Sequence, residues 1–233
     1  MSERQNLLNK INYKIKKILF FIFGEKFYKK KRYNWSLYPR RYEIIQKIIE
    51  LKNYNSYLKI GYDKNQSFSN ISINQRVGVD PIEGGTHKMT SDKFFINNSD
   101  KFDLIFIDGL HEYSQVMRDI KNLLTCLAHN GVILLHDCLP RNIWNQVTAR
   151  INSDWNGDVW KTIVESRTYD HIDTYTCIAD QGIGVMIPKV NRNKLILKNI
   201  IFQKHKYRDY YNNHEEYMNL IDYKKLYEII KYF

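Results

Sequence analysis

The chain has 233 residues, is 43% hydrophobic and carries a formal net charge of +11. This length and apolar content favour one substantial core with appendages over two separate domains. The charge is uneven, because residues 1–41 contain twelve Lys and Arg against two Glu, a balance of +10. The remaining residues are therefore almost neutral, which disfavours a nucleic-acid groove on the main domain.

The first 38 residues are predicted to form a basic helical arm. Its apolar stretch, Ile18 to Phe23, is far shorter than the roughly 20 residues that span a bilayer. Glu25 and Lys26 follow at once, without the small-residue cleavage site of a signal peptide. Two interpretations remain open: a basic amphipathic helix at a membrane surface, or a helix packed on the body or on a second subunit.

Residues 42–135 alternate between helical and strand patterns. Two segments have apolar residues at helical spacing, Tyr42–Leu51 and Tyr113–Leu127. Four segments are predicted strands: Tyr57–Gly61, Arg76–Pro81, Leu104–Ile107 and Val132–Leu135, the last preceded by a turn at Asn130-Gly131. The run from Leu104 is continuously apolar, which is typical of a parallel strand covered on both faces. The alternation predicts a doubly wound α/β sheet.

Two further β-prone runs, Asp173–Ile178 and Gly182–Pro188, predict a hairpin at the edge of the sheet. From Lys194 onward the pattern is helical and rich in tyrosine. We therefore predict a main domain over residues 39–190 and a helical extension over residues 191–233. The extension is expected to pack on the domain, and contacts with a second copy of the chain are its other interpretation.

Cys126, Cys138 and Cys177 are widely spaced and form no C-x-x-C pair. An odd number of separated cysteines indicates neither a disulfide framework nor a structural zinc site. A reducing cytoplasm is the expected location.

Three predicted strands end in a carboxylate: Asp80, Asp108 and Asp137. Ligands of open parallel sheets bind outside the carboxyl ends of the strands. An acid after the second strand is placed to bind ribose hydroxyls, while Gly61 after the first strand lets a ligand approach the backbone. An Asp after a strand also serves often as a helix cap or turn former.

Together these segments resemble class I S-adenosylmethionine-dependent methyltransferases, in a branch of glycan and small-molecule O-methyltransferases. The matching segments are YLKIG (57–61), VGVDP (77–81), TSDKFF (90–95), FDLIFIDGLHEYSQVMRDI (102–120), GVILLHDC (131–138) and WNGDVWK (155–161). The resemblance covers roughly residues 40–190. It implies a Rossmann-like fold, with a seven-stranded mostly parallel sheet, a terminal antiparallel hairpin and helices on both faces.

The resemblance also implies where the cofactor S-adenosylmethionine binds. Asp80 is expected to take the ribose hydroxyls, and Ser91 with Asp92 to lie near the adenine. Gly61 allows the cofactor to approach, and Asp108 lies beside its methionine and methyl end.

His111 takes the position of a general base in related catechol-type enzymes, three residues after the strand's acid. Histidine titrates near neutrality, so it suits proton removal from an attacking hydroxyl. The other interpretation is a histidine that only orients Asp108 or Asp137.

Those relatives hold Mg²⁺ with the same acid and an acidic pair that corresponds to His136, Asp137 and Cys138. Asp108 and Asp137 suit Mg²⁺ as hard oxygen ligands, whereas Cys138 is too soft. A metal is therefore one alternative, and electrostatic or positioning roles for these residues are the other.

Trp155, Asp158 and Trp160 correspond to part of the acceptor cleft. Aromatic faces beside an acid suit a sugar, although tryptophans in a loop are also ordinary packing. The implied reaction is methylation of a hydroxyl on a sugar, a sugar nucleotide or a related small molecule, in surface-glycan biosynthesis.

The first motif departs from the family, since Lys59 and Asn65 stand where an acid and a second glycine are common. The alternative function is therefore a catalytically silent binding protein with a degenerate cofactor motif. A nicotinamide-dependent dehydrogenase is disfavoured, because no G-x-G-x-x-G follows the first strand.

Overall fold

A computed structural model describes residues 3–61, 66–82, 85–198 and 200–233. Asn65, which bears on the first motif, lies outside these residues. The described residues contain seven strands that form one sheet, in the order β2-β1-β3-β4-β6-β5-β7. The strands are β1 (Ser56–Ile60), β2 (Gln75–Val79), β3 (Phe102–Ile107), β4 (Leu127–Leu135), β5 (Asp173–Cys177), β6 (Ile183–Ile187) and β7 (Leu220–Ile221).

The sheet is mostly parallel. Strands β1 to β4 run in one direction, and β6 is antiparallel to both of its neighbours, β4 and β5. Together with helices on both faces, this topology is the Rossmann-like class I methyltransferase fold, which confirms the predicted fold class.

Ten α-helices surround the sheet in the part of the chain that is described. They are α1 (Glu3–Phe23), α2 (Arg41–Lys52), α3 (Gln66–Ser69), α4 (Ser91–Asn97), α5 (Tyr113–Cys126), α6 (Ile143–Gln146), α7 (Trp160–Ser166), α8 (Tyr207–Asn212), α9 (His214–Met218) and α10 (Tyr223–Tyr232). Among the described residues, no helix has both the length and the apolar content needed to cross a bilayer.

The sheet separates two hydrophobic cores. Helices α4, α5, α7, α8 and α9 cover one face, on which Leu58 and Ile60 of β1 lie. Helices α2, α3 and α10 cover the other face, with Tyr57 of β1 and Phe106 of β3. Because successive side chains of a strand point to opposite faces, the position of a residue along its strand decides which core it joins.

The hairpin of β5 and β6 forms as predicted, but its predicted place at the edge of the sheet is wrong. Strand β7, from the C-terminal segment, pairs in parallel with β5 through Thr176 and Cys177 and takes the outer position. Asn130 does adopt a turn conformation, with φ of +59°, but it lies inside β4 rather than before it.

Candidate active site

The ends of the central strands lie level with one another. The backbone ladder continues one residue past each strand: Gly61 N–H donates to Val79 (2.9 Å), Asp108 N–H to Ile60 (2.8 Å) and His136 N–H to Ile107 (3.0 Å). Asp108 and His136 are thus neighbours at the carboxyl edge, where ligands of such sheets bind.

Alternation along the strands directs both side chains toward the same face. Asp108 is two residues past Phe106, and His136 is two past Leu134, so both follow side chains that face α2. Lys59 of β1 lies on this face as well, only 1% exposed, with Nζ 3.5 Å from the Asp108 carboxylate. Arg41, the first residue of α2, places Nε 3.7 Å from the same carboxylate.

The shortest contacts of both ring nitrogens of His136 are to hydrogen-bond acceptors, which favours protonation of both, although Nη1 of Arg41 also lies 3.3 Å from Nε2. Nε2 lies 2.9 Å from the carbonyl oxygen of Asp180, which only accepts hydrogen bonds. Nδ1 lies 3.0 Å from Asp108 and 3.1 Å from Asp137, both at carboxylate oxygens. Burial alone would lower the pKa of His136, but the Asp137 and Asp108 carboxylates raise it well above its usual range. His136 is therefore a buried imidazolium that bridges two acids.

Asp108 is ionised for the same reason. Burial alone would raise its pKa, but His136, Lys59 and Arg41 together hold the pKa of this carboxyl well below its usual range. Asp180 behaves likewise, because His136 and Arg41 outweigh the effect of burial and lower its pKa.

Asp137 turns the chain at the end of β4. Its φ of +63° is left-handed, a conformation that Asp adopts more readily than most residues. The turn brings its carboxylate to the same side as His136, instead of the opposite side expected in a continuing strand. Oδ1 accepts a hydrogen bond from Asn156 at 2.8 Å.

His111 lies in the loop between β3 and α5, with its ring stacked on Trp155 at a centroid distance of 4.9 Å. Nδ1 is 3.0 Å from the Trp155 carbonyl oxygen and 3.2 Å from Oδ2 of Asp137. Since both partners accept, Nδ1 carries a proton, and in the neutral form of the ring Nε2 is the atom with the lone pair. Nε2 lies 4.0 Å from Asp108.

A backbone contact holds this loop in place. Gly157 has φ of +60°, and a Cβ there would lie 1.7 Å from the carbonyl oxygen of His111. The neighbouring Asp158 N–H reaches the same oxygen at 3.3 Å. Only glycine allows the segment around residue 157 to approach His111 this closely.

Asp108, His111 and Asp137 together offer two carboxylate oxygens and one imidazole nitrogen within 4.8 Å of one another. Such a donor set suits a divalent cation. The same two carboxylates already bind the His136 imidazolium, with which a cation would compete. Cys138 takes no part, since its buried thiol faces the backbone carbonyls of Leu135 and His136.

Comparison with known families gives a match over the segment that contains most of these residues. Residues 54–138 match the family model described as a methyltransferase domain. This segment is therefore similar to a methyltransferase domain. The match includes Asp108, His111 and Asp137, and ends before Trp155.

Several solved structures are similar to this chain. An S-adenosylhomocysteine-bound methyltransferase from Podospora anserina is 16% identical, with a TM-score of 0.48, and the match covers 66% of this chain and 81% of that one. An O-methyltransferase from Bacillus cereus in complex with S-adenosylhomocysteine is 12% identical (TM-score 0.45; 64% and 80% covered). A putative caffeoyl-CoA O-methyltransferase from Staphylococcus aureus is also 12% identical (TM-score 0.45; 76% and 91% covered). No curated protein matches the sequence significantly.

Gly61 and Asp80, both within the matched segment, lie at adjacent strand ends. Gly61 has φ of +83°, and a Cβ there would lie 2.2 Å from the carbonyl oxygen of Asp108. Oδ1 of Asp80 accepts a hydrogen bond from the N–H of Ile82 at 2.8 Å, which stabilises the turn after β2. The carboxylate remains partly exposed at the sheet edge.

Ser91 and Asp92 begin α4 and face α5. Gln115 donates to both, at 3.3 Å and 3.4 Å, and also to Asp119 at 3.0 Å. Asp119 is buried, and burial raises its pKa to about 6. The residues predicted for the adenine therefore lie beside a buried carboxyl that sequence analysis did not single out.

The three residues predicted for the acceptor are separated by the structure. Trp155 is half-buried against His111. Asp158 is buried, accepting from the backbone N–H of Tyr113 at 2.7 Å and pairing with Lys161 at 3.0 Å, so it supports the start of α5. Trp160 is 0% exposed and packs in the core near His205. Only Trp155 reaches the cluster of acids and histidines.

Three residues that contribute to this site were not predicted from the sequence: Arg41, Asn156 and Asp180. Arg41 has a signal that could have revealed it, because a helix that precedes the first parallel strand begins at the carboxyl edge of the sheet. Asp180 lies between two predicted hairpin strands, which also places it at that edge. Asn156 lies in a loop with no such positional signal.

Proposed function

We propose that this chain is an S-adenosylmethionine-dependent O-methyltransferase that acts on a hydroxyl of a sugar, a sugar nucleotide or a related small molecule in surface-glycan biosynthesis. The observation that carries the proposal is the orientation of His111. Its Nδ1 is held by the Trp155 carbonyl and Asp137, so Nε2 is the basic atom at the carboxyl edge of the methyltransferase domain.

The cofactor would supply a methyl group on a positively charged sulfur. Asp80, at the end of β2, would accept hydrogen bonds from the ribose, and the start of α4 at Ser91 and Asp92 would lie near the adenine. Gly61 would leave room beside β1. The residues present fit such a ligand. Gly61 has no side chain to block approach to the backbone, and the Asp80 carboxylate at the next strand end is partly exposed.

His111 would remove the proton of the acceptor hydroxyl. Nε2 would accept this proton as the oxygen attacks the methyl carbon, while Nδ1 keeps its hydrogen bonds to the Trp155 carbonyl and Asp137. The Asp137 carboxylate would stabilise the imidazolium that forms, as an acid does behind a catalytic histidine. Asp108 would contribute negative charge near the methyl end.

A divalent cation such as Mg²⁺ is a second candidate for the same site. Asp108, His111 and Asp137 would be its protein ligands. A cation there would lower the pKa of a bound hydroxyl directly, and His111 would then be a ligand rather than the base. A requirement for added metal would favour His111 as a ligand, and activity without metal would favour His111 as the general base.

A cavity of about 320 Å³ beside the cluster is the best candidate for the acceptor. Arg41 forms part of its wall and also contacts Asp108. Three aromatic rings, Trp35, Tyr38 and Tyr42, line it together with Arg40 and Asp180. Aromatic faces suit the C–H faces of a sugar, and guanidinium groups suit a phosphate, so the lining supports a sugar nucleotide.

The alternative, a silent binding protein, rested on Lys59 and Asn65. Lys59 turns toward the α2 face and pairs with Asp108, where it helps to keep that carboxylate ionised. A lysine close to the cationic cofactor would repel it. The pairing of Lys59 with Asp108 offsets this charge and therefore favours the interpretation as an enzyme.

Thermal-shift titration tests the cofactor directly. A ligand present at 100 times its dissociation constant stabilises the folded state by about 2.7 kcal/mol. We expect S-adenosylmethionine and S-adenosylhomocysteine to raise the melting temperature and NAD to leave it unchanged. Release of S-adenosylhomocysteine with a panel of sugar nucleotides then tests methyl transfer. Cofactor binding without turnover on any acceptor would favour the silent protein.

We also propose a cytoplasmic location. The three cysteines are all free and buried, so none is positioned as a disulfide partner. This pattern is expected in a reducing compartment.

A further inference from the structure

Helix α1 has two different faces. Its docking face consists of the half-buried residues Tyr13, Lys16 and Phe20, spaced three and four residues apart. The ring of Phe20 contacts Trp144 at a centroid distance of 5.4 Å, and Lys16 Nζ lies 3.5 Å from the carbonyl oxygen of Arg150. This face attaches the helix to the body of the protein.

The opposite face is apolar and exposed. We call it the isoleucine stripe: Ile11, Ile15, Ile18 and Ile22, at positions i, i+4, i+7 and i+11. Each is between 46% and 59% exposed. Leu19, Phe21 and Phe23 extend the apolar surface toward the C-terminal end, and Phe23 is 83% exposed. A contiguous apolar surface of this kind marks an interaction site rather than random surface composition.

Lysines border the stripe. Lys10, Lys14 and Lys17 are exposed on α1, and residues 1–41 carry a balance of +10. The partner must therefore offer an apolar interior beneath a negatively charged surface.

We propose that α1 lies on an anionic lipid surface, with the isoleucine stripe inserted at the boundary between headgroups and acyl chains and the lysines at the headgroups. This inference goes beyond methyl transfer and does not depend on it. An interfacial helix fits the amphipathic pattern, and no described helix is able to span the bilayer. A second copy fits less well, because pairing two stripes would bring two segments of the same high positive charge together.

The test is sedimentation of the full-length protein with phosphatidylcholine vesicles and with vesicles that contain 30% phosphatidylglycerol. We expect binding to the anionic vesicles to be roughly tenfold or more stronger, because each lysine near such a surface adds to the attraction. Added salt should weaken this preference by screening.

Two sets of variants identify the surface. The triple variant Ile15→Ser, Ile18→Ser and Ile22→Ser removes the stripe, and we expect it to lose vesicle binding. The matched control Ile96→Ser, Val190→Ser and Ile196→Ser replaces three residues that are 73% to 81% exposed elsewhere, and it should bind as the natural chain does. Circular dichroism and thermal unfolding confirm that both variants fold.

Three results would overturn the proposal. The first is an intact chain that never sediments with anionic vesicles. The second is a stripe variant that binds as well as the control. The third is a stable dimer in analytical ultracentrifugation that only the stripe substitutions dissociate, which would assign the stripe to a second copy.

Discussion

Nδ1 of His111 lies 3.2 Å from Oδ2 of Asp137 and 3.0 Å from the carbonyl oxygen of Trp155. This pair of acceptors determines the tautomer of the neutral ring, so the proposed reaction has only Nε2 of this ring to accept the proton of an acceptor hydroxyl. The orientation of this one side chain therefore directs Nδ1 toward Asp137 and leaves Nε2 for the proposed reaction.

The first prediction concerns this base. His111→Ala should lower turnover roughly 10²–10⁴-fold, the usual contribution of general-base catalysis, while S-adenosylhomocysteine affinity stays nearly unchanged. His129→Ala is the control, because His129 is exposed. Wild-type turnover in His111→Ala would assign the proton to another group.

His136 is not a suitable control for that experiment. Its ring bridges Asp108 and Asp137 from a buried position, so removing it would leave two buried carboxyl groups without their shared partner. Truncation of one member of such a buried network is strongly destabilising, by about 3–5 kcal/mol.

The second prediction concerns Asp80. If its carboxylate binds the ribose, Asp80→Asn should weaken S-adenosylhomocysteine binding by about 1.5–3 kcal/mol, the contribution of hydrogen bonds to a charged group. Isothermal titration calorimetry measures this loss. Asp100→Asn, at an exposed position, should bind normally, and equal affinity of both variants would remove Asp80 from the cofactor site.

The third prediction concerns metal removal. We expect turnover to survive exhaustive EDTA treatment, because the charged His136 already binds the two carboxylates that a cation would need. Loss of activity with EDTA and its recovery with Mg²⁺ would instead establish Asp108, His111 and Asp137 as metal ligands.

The fourth prediction concerns stability and pH. Burial raises the pKa of Asp119 to about 6, so the folded state holds this proton more tightly than the unfolded chain, in which Asp titrates near 3.9. Stability should therefore fall as pH rises from about 4 to above 6, by an amount of order 3 kcal/mol. Urea unfolding at pH 5 and pH 8 should show about half of this difference, roughly 1.4 kcal/mol, and Asp119→Asn should reduce it. The variant Asp100→Asn, at an exposed position whose charge is not among those acting on Asp119, should leave it unchanged.

The fifth prediction concerns the contact beneath His111. Gly157→Ala places a methyl group where the His111 carbonyl oxygen lies and requires a left-handed conformation. It should destabilise the fold by more than about 1 kcal/mol and lower turnover by displacing His111. Gly109→Ala is the control for stability, since the new Cβ would lie 3.5 Å from its nearest neighbour, the Ile60 side chain, which is an ordinary van der Waals contact. Normal unfolding and turnover in Gly157→Ala would show that the loop adapts.

The central strands and α5 could be predicted because their apolar residues follow the period of each element without interruption. Asp108 and Asp137 could be placed at one edge because parallel strands end together. The bonding of His136 could not be predicted, because it depends on the left-handed turn at Asp137 and on Asp180, which is distant in the chain. The resemblance placed Trp160 in the acceptor cleft. It is instead buried against Tyr210, a contact between residues fifty positions apart that local sequence patterns do not indicate.

Strand β7 was also beyond prediction, because two residues carry no periodic signal. These two residues form a strand because the preceding helices place them beside β5.

The outer position of β7 has a practical consequence for the handling of this protein. A shortened chain that ends near residue 190 would retain every acid and histidine of the site, yet Thr176 and Cys177 of β5 would lose their hydrogen-bonded neighbours. Unpaired backbone groups at a sheet edge are a template for other chains. Such a fragment would also lose α8, α9 and α10, which cover both faces of the sheet. The last forty residues therefore protect the edge of the sheet and complete both hydrophobic cores.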